Sequence, residues 1–459
     1  MKNFLRKFLG QKLINYYHLA GAILANFIYG FPSRKLHVIG VTGTDGKTTT
    51  VNLVASILKA AGLPVSFLST INAQIGRQAL DTGLHTTTPS SFLLQRLLQQ
   101  MVKAGSQYAV LEVTSHALDQ YRTWGITFET AVITNVTHEH LDYHKTYGEY
   151  LRAKAKVFKN EKYAVLNRED KSYEQLLKLI STSLPLSPPA RPKLAEGGSP
   201  GDGLSFRSSS PSDGEELKER LLTYGFSSRA QIWASDINES LEGSKLSVHT
   251  PAGGFPIELS LPGQFNVKNA LAAIAVATAY KIPVASIQKG LSQIKTVSGR
   301  MEFLETKAPF LVLVDFAHTP NGLRELLSFL RPKVSGSIIM VFGAAGERDS
   351  TKRPLMGSAA DEFANSIVLT REDNRSEPAE KICQEIASGV KNKRLNTDLF
   401  IIPDRREAIR FALNQAKSGD LVAITGKGHE QSLNVDGVEL PWDEREVARE
   451  ELKKLGVSR

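Results

Sequence analysis

At 459 residues the chain exceeds what one ordinary hydrophobic core serves, so two or three domains are expected. Hydrophobic residues at 41% and charged residues at 22% exclude a wholly disordered chain, a collagen-like one and a protein of many membrane spans. Lysine and arginine outnumber aspartate and glutamate 56 to 47, and the net charge of +9 favours anionic partners (phosphates, nucleotides or acidic lipid) without choosing among them, while the single cysteine, Cys383, rules out a disulfide framework or a cysteine-based zinc cluster and points to a reducing compartment.

The chain opens with Lys2, Arg6, Lys7 and Lys12, followed by an apolar stretch over 13–31 that Asn15, His18 and Asn26 interrupt. It is barely long enough to span a bilayer and too polar to do so comfortably. The expectation for 1–35 is an amphipathic helix that either docks on the protein or lies on the inner membrane face. A nucleotide-type motif follows within a few residues and would need cytosolic ATP, so a cytoplasmic location is expected, with peripheral membrane contact as one of the two readings of the helix.

Next comes a short β-branched run at 36–41, a glycine-rich turn, and helical spacing of Val51, Leu53, Val54, Ile57 and Leu58 over 48–61. Strand, turn and helix in that order predict a parallel α/β unit. Further strands are predicted at 109–113, 130–134 and 163–166, giving a mostly parallel sheet covered on both faces. Residues 181–215 are rich in serine, proline and glycine and read as a surface insertion, since strand patterns resume at 231–234 and 245–249. After Gly299 a second series of strands, at 310–315, 337–342, 366–370, 399–402 and 421–425, predicts a Rossmann-like domain. The expected division is a helix segment at 1–35, a central nucleotide-binding domain at 36–297 and a carboxy-terminal domain at 298–459.

The turn at 40–48 reads Gly-Val-Thr-Gly-Thr-Asp-Gly-Lys-Thr. Backbone N–H groups and a helix amino terminus there can cradle phosphates, with Lys47 neutralising β/γ-phosphate charge and Thr48 placed for Mg²⁺. Val41 stands where the strict pattern has glycine. Glu112 ends a predicted strand beside this turn, where a second magnesium ligand is expected. Asn135-Val-Thr-His138-Glu139-His140-Leu-Asp142-Tyr-His144 is dense in histidine and carboxylate, and suits a hard or borderline cation or phosphates, or else a solvated loop.

These stretches, together with LEVTSHALDQYR at 111–122, GQFNVKNALAAIA at 263–275, SGRMEFLE at 298–305, VDFAHTP at 314–320, FGAAGERDSTKRPLMG at 342–357, GKGHE at 426–430 and DEREVARE at 443–450, resemble the Mur ligases in order and spacing. SHAL, HLDYH, AHTP and GKGHE resemble the MurE-type subgroup, which adds the third amino acid of the peptidoglycan peptide. The resemblance implies an ADP-forming ligase using ATP and Mg²⁺. Its substrates would be UDP-N-acetylmuramoyl-L-alanyl-D-glutamate and a diamino acid, meso-diaminopimelate rather than lysine, joined through an acyl phosphate. Residue by residue it implies Lys47, Glu112, His140 and Lys154 as catalytic, Lys154 as a carbamate. Thr48, Glu112, His140 and carbamylated Lys154 would hold metal. ATP contacts would be Gly43, Thr44, Asp45, Gly46, Lys47, Thr48, Thr49, Asn266, Asn269, Arg300, Asp315 and His318. Substrate contacts would be Thr87, Thr88, Thr114, Ser115, Gln120, Arg122, Arg348, Asp373, Asn374, Arg375, Gly426 and Glu430. A monomer is expected, and no recognition motif points to nucleic acid.

Three departures from the family pattern stand out. Only about forty residues precede the phosphate loop, where the family carries a uridine-binding domain. The UDP end would then be held by the central domain and the amino-terminal helix, or by a partner, or the substrate would be lipid-linked. The selectivity motif reads Asp373-Asn374-Arg375 without a proline, and Glu139 and Ala345 replace an aspartate and a glycine. Alternative readings are a Mur-type ligase for a different carboxylate and a membrane-associated nucleotide-binding scaffold.

Overall fold

The β-branched run after the first turn forms strand β1 (His37–Thr42), and its last five residues are buried. In this computed structural model, which describes residues 2–80, 87–137, 139–182 and 220–457, β1 lies inside a sheet of eleven strands. It pairs in parallel with β5 (Tyr108–Glu112) on one side and β6 (Thr130–Ile133) on the other. Outward from β5 lies β2 (Val65–Leu68), and outward from β6 lie β7 (Tyr163–Asn167) and β8 (Leu221–Gly225), all parallel. Antiparallel ribbons extend both edges: β3 (Ala73–Ile75) and β4 (Gln78–Leu80) at one, and β9 (Ile232–Glu239), β10 (Ser244–Thr250) and β11 (Gly253–Leu259) at the other. The expected insertion at 181–215 lies outside the described residues, apart from 181 and 182, which end the helix Tyr173–Thr182.

One face of this sheet is covered by helix α2 (Lys47–Ala60) with Gln264–Ala279 and Val284–Gln293. Val51, Leu53, Val54, Ile57 and Leu58 of α2 are all at most 1% exposed. Each such burial is worth about 2 kcal/mol of apolar transfer, which holds the phosphate loop against the sheet that positions it.

The second sheet has six strands. Leu311–Asp315, Leu421–Thr425, Ile338–Phe342, Ser366–Leu369 and Leu399–Ile401 run parallel in that spatial order, with Glu302–Phe303 antiparallel at the edge. The α/β class read from the sequence is borne out, with strand boundaries displaced by one or two residues except at 231–234, where the strand runs on to Glu239.

The amino-terminal segment is a helix, α1 (Lys2–Tyr29), packed against α3 (Ser91–Lys103). Polar groups on its inner side fix it: the Asn26 amide donates to Ala22 O at 2.9 Å and Trp124 O at 2.8 Å, Asn15 to Asp119 Oδ2 at 3.1 Å, and Gln11 to the Tyr143 hydroxyl at 3.1 Å. No described helix is long and apolar enough to cross a membrane.

Candidate active site

The phosphate loop depends on two glycines. Gly46 caps α2 at φ 80°, and a Cβ there would lie 2.2 Å from Asn269 Oδ1; at Gly43, φ 154°, a Cβ would lie 1.8 Å from Thr134 Oγ1. The loop is held from the neighbouring strand end. Thr44 N donates to Asn135 O at 2.9 Å, Asp45 N to Asn135 Oδ1 at 2.9 Å, and Thr134 Oγ1 to Asp45 O at 2.6 Å.

Lys47, first residue of α2, folds back to donate to Thr44 O at 2.8 Å. Burial lowers its pKa, and the carboxylates of Glu112 and Asp45 pull it back up, so a phosphate arriving in the loop would stabilise the ammonium form. Thr48 Oγ1 donates to Glu112 Oε2 at 2.9 Å, and Thr70 adds two further bonds to the same carboxylate. Glu112 is thereby fixed at the strand end with its oxygens toward the loop.

Lys154 reaches the loop from the helix Tyr147–Ala155. It is 1% exposed, its Nζ donates to Gly43 O at 2.6 Å, and it stands 4.5 Å from the Tyr150 ring centroid. Burial first and the nearby Lys47 second hold its pKa well below that of a free lysine. His140 sits at φ 58°, a left-handed conformation uncommon outside glycine. Its ring packs edge-on against His116 with centroids 4.8 Å apart, and His116 in turn is 5.4 Å from His144. Burial keeps all three imidazoles neutral, the pKa of His116 falling to about 3 and that of His144 to about 4, with His140 also well below the usual value.

The expected substrate residues of the first domain form one patch beside this group. Thr114 N donates to Thr88 Oγ1 at 3.0 Å, Ser115 Oγ is 3.0 Å from His144 Nε2, and Arg122 bonds both Gln120 Oε1 and Thr88 O. Thr87 adjoins Thr88 and is half-buried.

The second domain supplies the opposite wall. A single cleft is lined by Asp45, Gly46, Thr48 and Thr49, by Asn266 and Asn269, and by Arg300, Asp315 and His318. Arg300 lies 4.3 Å over the Phe316 ring, and Asp315 accepts from Met301 N and Ala317 N at 2.7 Å each. Arg348 is close enough to His116 and His140 to depress their protonation.

The remaining residues that the family resemblance implies lie in a separate part of the second domain. Lys427, 1% exposed at its side chain, is held by Asp373 at 2.8 Å and by Glu430. Asn374 is fully buried and donates to Glu377 O and Asp436 Oδ1. Arg375, at φ 53°, donates to Gly346 O at 2.9 Å, and a Cβ on Gly426 would meet Glu372 Oε2 at 2.7 Å.

Several site groups escaped the sequence reading. Asn135 clamps the loop, Tyr150 pairs its hydroxyl with Thr44 Oγ1 at 3.1 Å, and Lys352 donates to Glu139 at 3.0 Å and to His318 O at 3.0 Å, tying the two domains together. Asn135 and Lys352 lie in stretches already singled out and Tyr150 stands four residues before Lys154, yet a lysine at a helix start reads as ordinary surface charge. Its importance is visible only once the second domain is seen against Glu139.

Fold and site define an α/β protein in which a glycine-rich loop lines a cleft completed by a second domain. The chain belongs to the Mur ligase family: the Mur ligase middle domain matches residues 41–184 and 209–277, and the Mur ligase, glutamate ligase domain matches 299–428. It is 38% identical over 455 residues to the UDP-N-acetylmuramyl-tripeptide synthetase of Roseiflexus sp., covering 95% of this chain and 82% of that one. It is also 38% identical over 432 residues to the UDP-N-acetylmuramoyl-L-alanyl-D-glutamate--2,6-diaminopimelate ligase of Caldanaerobacter subterraneus, covering 94% and 81%. A solved structure of a ligase of that same name matches with 31% identity and a TM-score of 0.57, over 92% of this chain and 79% of that one.

Proposed function

We propose that this chain is an ATP-dependent, ADP-forming ligase that joins a diamino acid, meso-diaminopimelate, to the D-glutamate of UDP-N-acetylmuramoyl-L-alanyl-D-glutamate. The observation that carries the reading is the single cleft shared by the phosphate loop and by Arg300, Asp315 and His318 of the second domain. The names of the relatives supply the substrates. In the reaction an oxygen of the glutamate side-chain carboxylate attacks the γ-phosphorus of ATP and ADP leaves. The diamino acid's amine then attacks the acyl carbon, the new amide loses a proton, and inorganic phosphate departs.

Lys47 and Arg300 would balance phosphate charge during transfer, and the Gly43–Gly46 backbone would orient it. Thr48 and Glu112 offer a hydroxyl and a carboxylate, the hard oxygen donors that Mg²⁺ takes in small number beside nucleotide phosphates. Among the described residues no three histidine, cysteine or acidic groups cluster as a ready-made metal cage, which fits an ion completed by phosphates and water. Bound there, Mg²⁺ would neutralise charge on the transferring phosphoryl group. Burial eases loss of the Lys154 proton, and the neutral amine is the form that adds carbon dioxide, so a carbamate there would bring an anionic oxygen ligand to the loop, with His140 nearby. Arg348 and Arg375 are the guanidinium groups we assign to the diamino acid's distal carboxylate, which a guanidinium matches with two parallel hydrogen bonds. Closure of the second domain would shield the acyl phosphate from water.

The test is phosphate release by the purified chain with ATP, Mg²⁺ and the UDP-linked dipeptide, comparing meso-diaminopimelate, L-lysine and no amino acid. Release that depends on diaminopimelate is expected. Equal release with lysine would overturn the selectivity assignment, and no release with any amino acid would overturn the substrate reading.

A further inference from the structure

The outer side of α1 is unusual for a protein surface. Leu13, Tyr16, Tyr17, Leu24, Phe27 and Ile28 are 51 to 78% exposed. At 100° per residue they fall within roughly a third of the helix circumference, forming one continuous apolar and aromatic stripe. The inner side is already spent: Gln11, Asn15 and Asn26 bond the central domain, and Ala22 and Ala25 are fully buried. The helix is therefore anchored to the protein through one face while presenting leucine, isoleucine, phenylalanine and two tyrosines to the outside. Burying such side chains is favourable by the transfer of their apolar area out of water.

Charge selects the occupant. In sequence α1 carries Lys2, Arg6, Lys7 and Lys12 and no aspartate or glutamate, and Arg34 and Lys35 follow in the short turn Pro32–Lys35. A surface that accepts both an apolar stripe with tyrosines and a set of cations with no anion among them is the headgroup region of an anionic bilayer. We propose that the Leu13–Ile28 stripe of α1 docks this protein on an anionic lipid surface, with the helix lying in the interface rather than crossing it. The same helix reaches the active-site neighbourhood from its inner side, since Gln11 bonds Tyr143, whose ring lies 4.3 Å from that of His116. Docking would thus hold the substrate-binding patch close to the membrane. Where the protein docks is independent of the ligase reading, and phosphate release is assayed separately.

The test uses the full chain with vesicles of phosphatidylglycerol or of phosphatidylcholine alone, read by sedimentation. Binding to the anionic vesicles is expected, weakened by salt and at least about tenfold poorer on phosphatidylcholine. The double variant Tyr17→Glu/Phe27→Glu, whose sites are exposed and outside the catalytic machinery, should lose most vesicle binding while keeping the thermal transition and the phosphate release of the parent. Failure of the parent to bind, equal binding to both lipids, or undiminished binding by the variant overturns the proposal. So does a parent that fails to bind vesicles but forms a dimer that the variant abolishes, since the stripe would then cover a second copy. Vesicle binding without ligase activity would leave this inference standing and remove the proposed reaction.

Discussion

Lys154 is an amine in a place that disfavours charge. It is enclosed by the sheet and the phosphate loop, a second lysine lies close by, and its hydrogen bond to Gly43 O needs no positive charge. A lysine kept only for packing would be better served by an uncharged side chain, whereas an amine whose burial eases loss of its proton, 2.6 Å from the loop backbone, is suited to add carbon dioxide. Lys154→Ala is therefore expected to lower turnover by about 100-fold, the usual scale for losing a group that orients a metal. Added formate or acetate should restore part of it. Incubation of the parent with ¹³C-bicarbonate should give a carbamate carbon resonance that the variant lacks. Full activity in Lys154→Ala, or no resonance in the parent, would refute the assignment.

Between elements, α2, which begins at the phosphate loop, crosses the helix Val284–Gln293 at close range near its far end. Gly290 allows it: a Cβ there would lie 2.5 Å from Ile57 Cα, and Ser56 Oγ donates to Gly290 O at 2.7 Å. Because the obstacle is backbone, it cannot swing aside. Gly290→Ala should cost about 1 to 3 kcal/mol by overpacking and lower the melting temperature, with a Lys289→Ala variant at an exposed position of the same helix as control. An unchanged melting temperature would show that the helices separate freely. The strands at the centre of both sheets were legible in the sequence because β-branched runs buried on both faces leave a local signal, as at His37–Thr42 and Leu421–Thr425. The ribbon strands Ala73–Ile75 and Gln78–Leu80 were not, being three residues each with partly exposed faces. The phosphate loop was likewise legible because its backbone demands glycine locally, while the clamp by Asn135 and the meeting of His116 with His140 depend on chain segments brought together only by the fold.

At the scale of the molecule, the site exists because two sheets share a cleft, and the bond that spans it most firmly is Lys352 to Glu139. Both side chains are nearly inaccessible, at 4 and 6% exposed, and Lys352 also donates to His318 O. Burial raises the pKa of Glu139 and Lys352 pulls it back down, so removing the lysine leaves an acid that is buried without its partner. Around this pair the bonds are longer, Thr319 and Asn321 reaching Asp45 at 3.5 and 3.4 Å. Lys268 of the central domain also pairs with Glu325 of the second at 3.6 Å. Among the described residues the interface thus combines one short, deeply buried ion pair with longer and more exposed contacts, an arrangement that suits domains able to part. Lys352→Met should open the cleft. A larger radius of gyration in solution, faster proteolysis between the domains and about a tenfold rise in KM for ATP are expected. Pairing it with Glu139→Gln removes the stranded carboxyl, so the double variant should recover stability relative to Lys352→Met alone, with a coupling of about 1 to 3 kcal/mol in the thermodynamic cycle. If the two substitutions are additive and KM is unmoved, the domains are held together elsewhere and the cleft does not depend on this bond.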